Sequence, residues 1–451
     1  MKVIKFGGTS LADGPQLEKV IAIIDADATR QVVTVSAPGK RFSGDTKVTD
    51  LLLQYAQAAI NGDDTQAIVA EIAARYQAIA TYFHVDSTAI MPKIIEQLQH
   101  LAKQHYPSFD YLYAAFAGHG ELLNAQLIAF ILQATGHNAR FVSPKELGMQ
   151  TTGAPRAATL AEISYQKMAW FTLASDEIIV VPGFFAYDEH GYMNTFKRGG
   201  SDITGAILAR GLKATVYENF TDVSSIYAVS PKIVANPAPI AKMTYREMRE
   251  LAYAGFAVFS DEAIVPVIKA GIPINVRNTN EPAAPGTLIV PENEIATTHA
   301  ITGIASDDRF ATLYLHRYLL NKEIGFTRRL LDILYRHGIS YEHMPTGIDD
   351  LSIIFDKSLT SRAQFEAMIA DIRTEIQPDI LEWHTDYALI MVVGEGMQEM
   401  HGAVANIIEP LTEAGINISM VNQGASRISV MLGLPADQVD AAVKVIYEQV
   451  Y

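Results

Sequence analysis

The chain has 451 residues, 49% of them apolar, no cysteine, and a formal charge of −15 from 50 acidic against 35 basic side chains. That length and apolar fraction predict two or three domains with ample core and exclude a disordered chain. The acidic excess argues against non-specific partners such as nucleic acid or an anionic membrane, and the lack of cysteine excludes disulfides, thiol nucleophiles and zinc–thiolate centres.

The first predicted element is a buried strand, Val3 to Phe6, running into Gly7-Gly8-Thr9-Ser10. Paired glycines accept positive φ and close approach, so the turn is free to aim its N–H groups at an anion, and Lys5 adds a fixed cation beside it. Strand-like runs follow at Val32–Val35, Ala114–Ala117, Ile178–Val181 and Thr215–Glu218, alternating with helical patterns that include residues 54 to 104, where no chemical cluster stands out. The alternation predicts an α/β sandwich built on a mainly parallel sheet.

A second glycine site follows the hairpin-like stretch from Gly183-Phe184-Phe185 to Asn194-Thr195-Phe196. Lys197-Arg198-Gly199-Gly200-Ser201-Asp202 leads into the helical pattern Ile203 to Ala209, so free amides and the positive end of the helix dipole face any anion held there. Two glycine cradles, each with a cation, fit an enzyme that spreads negative charge over several oxygens. Neither a P-loop nor a dinucleotide fingerprint is present.

The tract Asn280 to Gly286, then Pro291 to Glu294, is rich in breakers and places a linker near 291–300. Beyond it the chain repeats a small α/β unit. Strand 311–315, helix 326–337, Gly338-Ile339 with a strand to Met344, and strand 351–355 match strand 388–393, helix 397–414, Gly415-Ile416 with a strand to Val421, and strand 427–432. Glycines 338 and 415 sit where a helix end favours a left-handed residue. No apolar run approaches a membrane span, and no signal-like segment precedes the first strand, which fits the cytoplasm.

Together with Ser36-Ala37-Pro38-Gly39-Lys40, Val48-Thr49-Asp50-Leu51, Gly120-Glu121 and Thr221-Asp222-Val223, the hexapeptide Lys5 to Ser10 and the run Arg198 to Asp202 make the chain resemble the aspartate kinases over nearly its whole length. The resemblance implies an amino-acid-kinase domain at 1–295 and two ferredoxin-like ACT modules at 301–380 and 385–451, possible interleaving included. It implies transfer of the γ-phosphoryl of ATP to the β-carboxylate of L-aspartate, giving 4-phospho-L-aspartate for lysine, threonine and methionine synthesis. Lys5 and Asp202 would be catalytic. Thr49, Glu121, Phe184, Arg198 and Ser201 would bind aspartate, with Arg198 forking a carboxylate and Glu121 meeting the ammonium. Lys5, Phe6, Gly7, Gly8, Gly199, Gly200, Thr221, Asp222, Tyr227 and Lys232 would line the ATP site. Magnesium would ride on the nucleotide phosphates, with no structural metal in the protein.

The same resemblance implies a lysine effector at Leu320, Gly325, Phe326, Thr327, Ser340, Tyr341 and Glu342, and a homodimer or tetramer assembled through the ACT modules. The chain departs from the family at Leu122, Asn124 and the segment 255–261, where relatives carry arginine, serine and a lysine with His-Pro. Competing readings are a sister enzyme phosphorylating glutamate, acetylglutamate or a nucleotide, and a non-catalytic amino-acid sensor. The hexapeptide and the module pair argue against the first, and intact Lys5, Arg198 and Asp202 against the second.

Overall fold

The computed structural model describes residues 1–451 apart from 198, 257–260, 295–299 and 359–360, with the side chains of 261 and 262 also outside the description. The chain divides into two units: 1–226, 239–245 and 257–295 form the first, and 227–238, 246–256 and 296–451 the second.

The first unit is built on an eight-stranded sheet in the order Lys242–Thr244, Thr287–Val290, Ile274–Asn278, Tyr217–Thr221, Lys2–Phe6, Arg30–Val35, Ile178–Pro182 and Ala139–Phe141. Neighbouring strands are parallel except Ile274–Asn278 against Thr287–Val290. The central strands read as continuous apolar runs because both faces are covered: Val3, Ile4, Phe6, Val32, Val33 and Val35 are fully buried. Helices Gly14–Asp25, Val48–Asn61, Gln66–Tyr82, Met91–Leu101 and Phe109–Ala134 share one core cluster with these strands. Asp13 caps the first of them by accepting from the Gln16 amide at 3.0 Å, with proline at the start of the helix.

The expected strand at 114–117 lies inside the helix Phe109–Ala134. A short alanine-rich run carries no period of its own, and the apolar pattern continues for 26 residues, far beyond strand length. Its small residues serve close packing: a Cβ on Gly118 would lie 2.5 Å from the Met193 sulfur, and one on Gly120 2.7 Å from the Ala37 Cβ. This helix is also long and apolar enough to cross a membrane, contrary to the expectation that no run approaches that length. However, 83% of its apolar window is buried within the fold, as for a core helix.

In the second unit, strands Asp350–Asp356, Phe310–His316 and Ile380–His384 form an antiparallel three-stranded sheet. A four-stranded antiparallel sheet takes Gly303–Asp307 beside Ala388–Val393, then Ser429–Leu434 and Met420–Gln423. The second module therefore borrows its edge strand from chain that precedes the first. Gly338 and Gly415 take φ values of +65° and +69° after helices Phe326–Arg336 and Ala403–Glu413. The strand expected at 338–344 reduces to an isolated bridge between His343 and Ile354.

Segments 227–238 and 246–256, expected within a catalytic domain spanning 1–295, belong to the second unit. Val229 is buried with Ile301, Ile304 and Ile407. The Ala238 amide donates to the Tyr447 hydroxyl at 2.9 Å, and Arg246 pairs with Glu395 at 2.8 Å.

Candidate active site

Four central strands of the first unit end in register: Phe6 faces Val35 and Phe220, and Val35 faces Pro182. Whatever follows them therefore emerges on one edge of the sheet, the carboxyl edge, where open α/β sheets hold ligands. Gly7-Gly8, Ser36 to Gly39, Gly183-Phe184 and Asp222 all follow these ends. The sequence separates the first of them, at Gly7, from the last, at Asp222, by most of the first unit, and parallel pairing gathers them.

Lys5 and Asp202 meet here. Lys5 Nζ lies 2.7 Å from Asp202 Oδ1, with both side chains largely buried. Lys5 Nζ also donates to Asn219 Oδ1 at 3.3 Å, and Asn219 Nδ2 donates to Asp202 Oδ1 at 2.9 Å. Asp202 stands in the first turn of helix Gly200–Gly211, which begins at Gly199 with φ +81°. A carboxylate there is favoured by the helix dipole and by the charge-assisted contact with an ammonium.

The glycines are used for approach as well as for φ. A Cβ on Gly8 would stand 2.9 Å from the Ala37 carbonyl oxygen, and one on Gly200 2.5 Å from the Phe184 ring. Phe184 itself holds φ +74°, a strained value for an aromatic residue. The strain is fixed from both sides, since its N–H donates to Thr204 Oγ1 at 3.0 Å and its carbonyl accepts from the Phe196 amide at 2.8 Å. Ser201 packs directly on Gly183, where a Cβ would be 2.7 Å from the serine Oγ. The expected hairpin is present as Phe185–Tyr187 against Met193–Thr195.

Glu121 is a buried carboxyl on the long helix, and its Oε2 has no hydrogen-bond partner among the described residues. Burial pushes its pKa up to about 8, with the Ala37 backbone amide pulling the other way. A buried acceptor left unpaired is costly unless something arrives to satisfy it. One turn on, Asn124 Nδ2 donates to the Ser36 carbonyl at 2.7 Å. Thr49 is half-buried in the first turn of helix Val48–Asn61, and Val48 of that turn packs against Gly120. Thr49 and Glu121 are thereby brought to the same loop, 36–39.

Arg75 went unnoticed in the sequence because the stretch 54 to 104 showed no cluster. It is buried at 5% exposure. Its guanidinium donates to the Gly39 carbonyl at 2.7 Å and the Thr46 carbonyl at 2.8 Å, and pairs with Asp45 at 3.3 Å. A lone arginine in an amphipathic helix gives no signal of this, since both carbonyls come from chain about thirty residues earlier.

Phe6 is core, fully buried and stacked on Phe220 at 5.0 Å, so its side chain is not offered to a nucleotide. Thr221 and the exposed Asp222 lie at the carboxyl edge, with Thr221 Oγ1 donating to Asp222 at 3.1 Å. Tyr227 and Lys232 belong to the second unit. There Lys232 is exposed and lines a cavity of about 710 Å³ with Ser230, Phe256, Asp307 and Asp437. Arg198 and the departure at 257–260 lie outside the described residues. Among the described residues no group of three or more His, Asp or Glu side chains is placed to hold a metal.

In the expected effector region, Leu320 and Phe326 are core residues packed with Leu330 and Ile333. Gly325 starts its helix at φ +80°, Thr327 is half-buried in the first turn, Ser340 and Tyr341 are exposed, and Glu342 is half-buried.

Residues 1–278 match the amino acid kinase family, and residues 390–450 match the ACT domain. Aspartokinase 3 of Bacillus subtilis (strain 168) is 43% identical over 453 residues, covering 100% of this chain and 99% of its own. The bifunctional aspartokinase/homoserine dehydrogenase of Haemophilus influenzae is 26% identical, and this chain, matched over its full length, spans 56% of it. Among solved structures, the aspartate kinase of Clostridium acetobutylicum matches with a TM-score of 0.86 at 36% identity over 100% of both chains. Aspartokinase III of Escherichia coli, in complex with lysine and aspartate, shares the fold with a TM-score of 0.80 at 24% identity over 100% of this chain and 99% of its own.

Proposed function

This chain belongs to the aspartate kinases, and from that premise we propose that Lys5, held by Asp202, stabilises the phosphoryl group as it passes from ATP to aspartate. The enzyme transfers the γ-phosphoryl group of ATP to the β-carboxylate of L-aspartate. A carboxylate oxygen forms the new bond to phosphorus while the bond to the ADP oxygen breaks. No proton has to move, so positioning and electrostatics carry the catalysis. The observation that supports this reading is the 2.7 Å pair between Lys5 and Asp202 at the carboxyl edge, beside two glycine turns. A cation fixed there follows negative charge onto the transferring group without reorganising.

Glu121 takes the substrate ammonium, which relieves its unpaired oxygen. Arg198 takes a carboxylate, and Thr49, Phe184 and Ser201 complete the aspartate pocket. The amides of Gly7, Gly8, Gly199 and Gly200 line the phosphate path, and Thr221 and Asp222 face the nucleoside. A magnesium ion would be carried in on the nucleotide phosphates, whose charge it lowers.

Lysine is the proposed effector, bound through the backbone at Gly325 and the side chains of Thr327, Ser340, Tyr341 and Glu342, in a homodimer joined through the ACT modules in the cytoplasm. Because Leu320 and Phe326 are buried, they shape this pocket from beneath. An inhibitor must bind the less active state more tightly. An assay of ADP release with aspartate or glutamate as acceptor, repeated with lysine and with threonine, tests both proposals. Aspartate-dependent turnover depressed by lysine at sub-saturating aspartate is expected; a flat lysine titration removes the effector, and turnover with glutamate alone removes the acceptor.

A further inference from the structure

Asn219 stands between the two charged residues of the site and is 3% exposed. It is the direct cross-strand partner of Lys5, in the parallel pairing of Tyr217–Thr221 with Lys2–Phe6. Its amide is used at both ends: Oδ1 accepts from Lys5 Nζ at 3.3 Å, and Nδ2 donates to Asp202 Oδ1 at 2.9 Å. With the 2.7 Å contact between Lys5 and Asp202, the three side chains close a ring.

A lysine ammonium has three donors set tetrahedrally about the C–N axis. Two are committed in this ring, so the third is left with one direction. The Cβ position of Gly7 lies 3.6 Å from Nζ, so a residue with no side chain leaves space beside the ammonium at the turn. Without the amide, the ammonium keeps a single partner and turns freely about its terminal bond. A point charge on a flexible stem then loses orientation at the moment charge develops. Asn219 also shares the Asp202 oxygen as a neutral donor, so the ammonium is held by one carboxylate and keeps much of its field for the phosphoryl group.

We propose that Asn219 is a positioning residue, which fixes the rotation of the Lys5 ammonium so that its one uncommitted N–H faces the transferring phosphoryl group. This rests on the reading of Lys5 given above, and the test separates the two. Single-turnover rates and steady-state constants are measured for wild type, Asn219→Leu, Lys5→Ala and the double variant. Asn219→Leu is expected to lose about tenfold or more in kcat, with the KM for aspartate within about twofold, as for a group that acts only on the transition state. In the Lys5→Ala background the same substitution should cost nothing further, because its effect passes through Lys5.

A kcat within twofold of wild type while Lys5→Ala is inactive overturns the inference alone, as does an equal loss in both backgrounds, which marks a purely structural asparagine. Full activity in Lys5→Ala overturns the reading of Lys5 and this inference with it. Should the leucine variant fail to fold, Asn219→Ser, which breaks the same two bonds and admits water, is put through the same comparison.

Discussion

Gly8 and Gly39 touch backbone to backbone: the Gly39 amide donates to the Gly8 carbonyl at 2.8 Å, and a Cβ on Gly39 would stand 2.5 Å from the Gly8 carbonyl carbon. Two turns from neighbouring strands are thus packed at a distance that only glycine permits, and the first carries the amides assigned to phosphate.

Gly39→Ala should therefore push the Gly7-Gly8 turn out of place with little loss of core. The expected outcome is a fall of about 100-fold in kcat/KM for ATP, as for a misplacement on the order of 1 Å at the reacting groups. Steady-state kinetics beside a thermal melt check it; a melt unchanged and activity retained would mean the contact is incidental.

Arg75 holds the other side of the same loop through the Gly39 and Thr46 carbonyls. Arg75→Lys keeps the charge beside Asp45 but cannot span both carbonyls with one planar fork. We expect kcat/KM for aspartate to drop about tenfold, with a lower melting temperature, since a buried ion pair that loses its geometry is destabilising. Equal kinetics for the two proteins would show that the loop is fixed by other contacts.

With Glu121 as the proposed partner of the substrate ammonium, aspartate binding should be a proton-linked event. With burial raising its carboxyl to about 8, the free enzyme carries it mostly protonated at pH 7, and an arriving ammonium favours the carboxylate. Binding at pH 7 should release a fraction of a proton approaching one, read by calorimetry in buffers of different ionisation enthalpy; Glu121→Gln should release none. The stability sign follows from the same shift. A raised folded-state pKa gives a contribution that is whole below the ordinary carboxyl range, near 4.5, and is lost as pH rises through about 8. The melting temperature of wild type relative to Glu121→Gln should fall across that window.

Which parts of this were legible in the sequence depends on how local the cause is. Lys5, the glycine pairs and Asp202 announce themselves because a turn that cradles phosphate needs those residue types next to one another. The parallel sheet was legible from the alternation of patterns. Ala114 to Ala117 misled because alanine and one phenylalanine fit a strand or a buried helix equally, and only the 26-residue span decides. Arg75 and Asn219 act on chain far away, at Gly39 and at Asp202 with Lys5, so nothing beside them in sequence marks the role. The same non-locality hid the transfer of 227–238 and 246–256 to the second unit. It also hid the burial of Leu320 and Phe326, which pack in one core with Leu330 and Ile333.

The most direct test of the account is the single-turnover rate of phosphoryl transfer in Lys5→Ala, with saturating aspartate and magnesium-ATP, beside its thermal melt. Removing a preorganised cation that faces developing charge costs about 100- to 1000-fold, so a drop of that size with the fold intact is predicted. A rate within about threefold of wild type would contradict the assignment of Lys5 and Asp202 as the centre of the reaction.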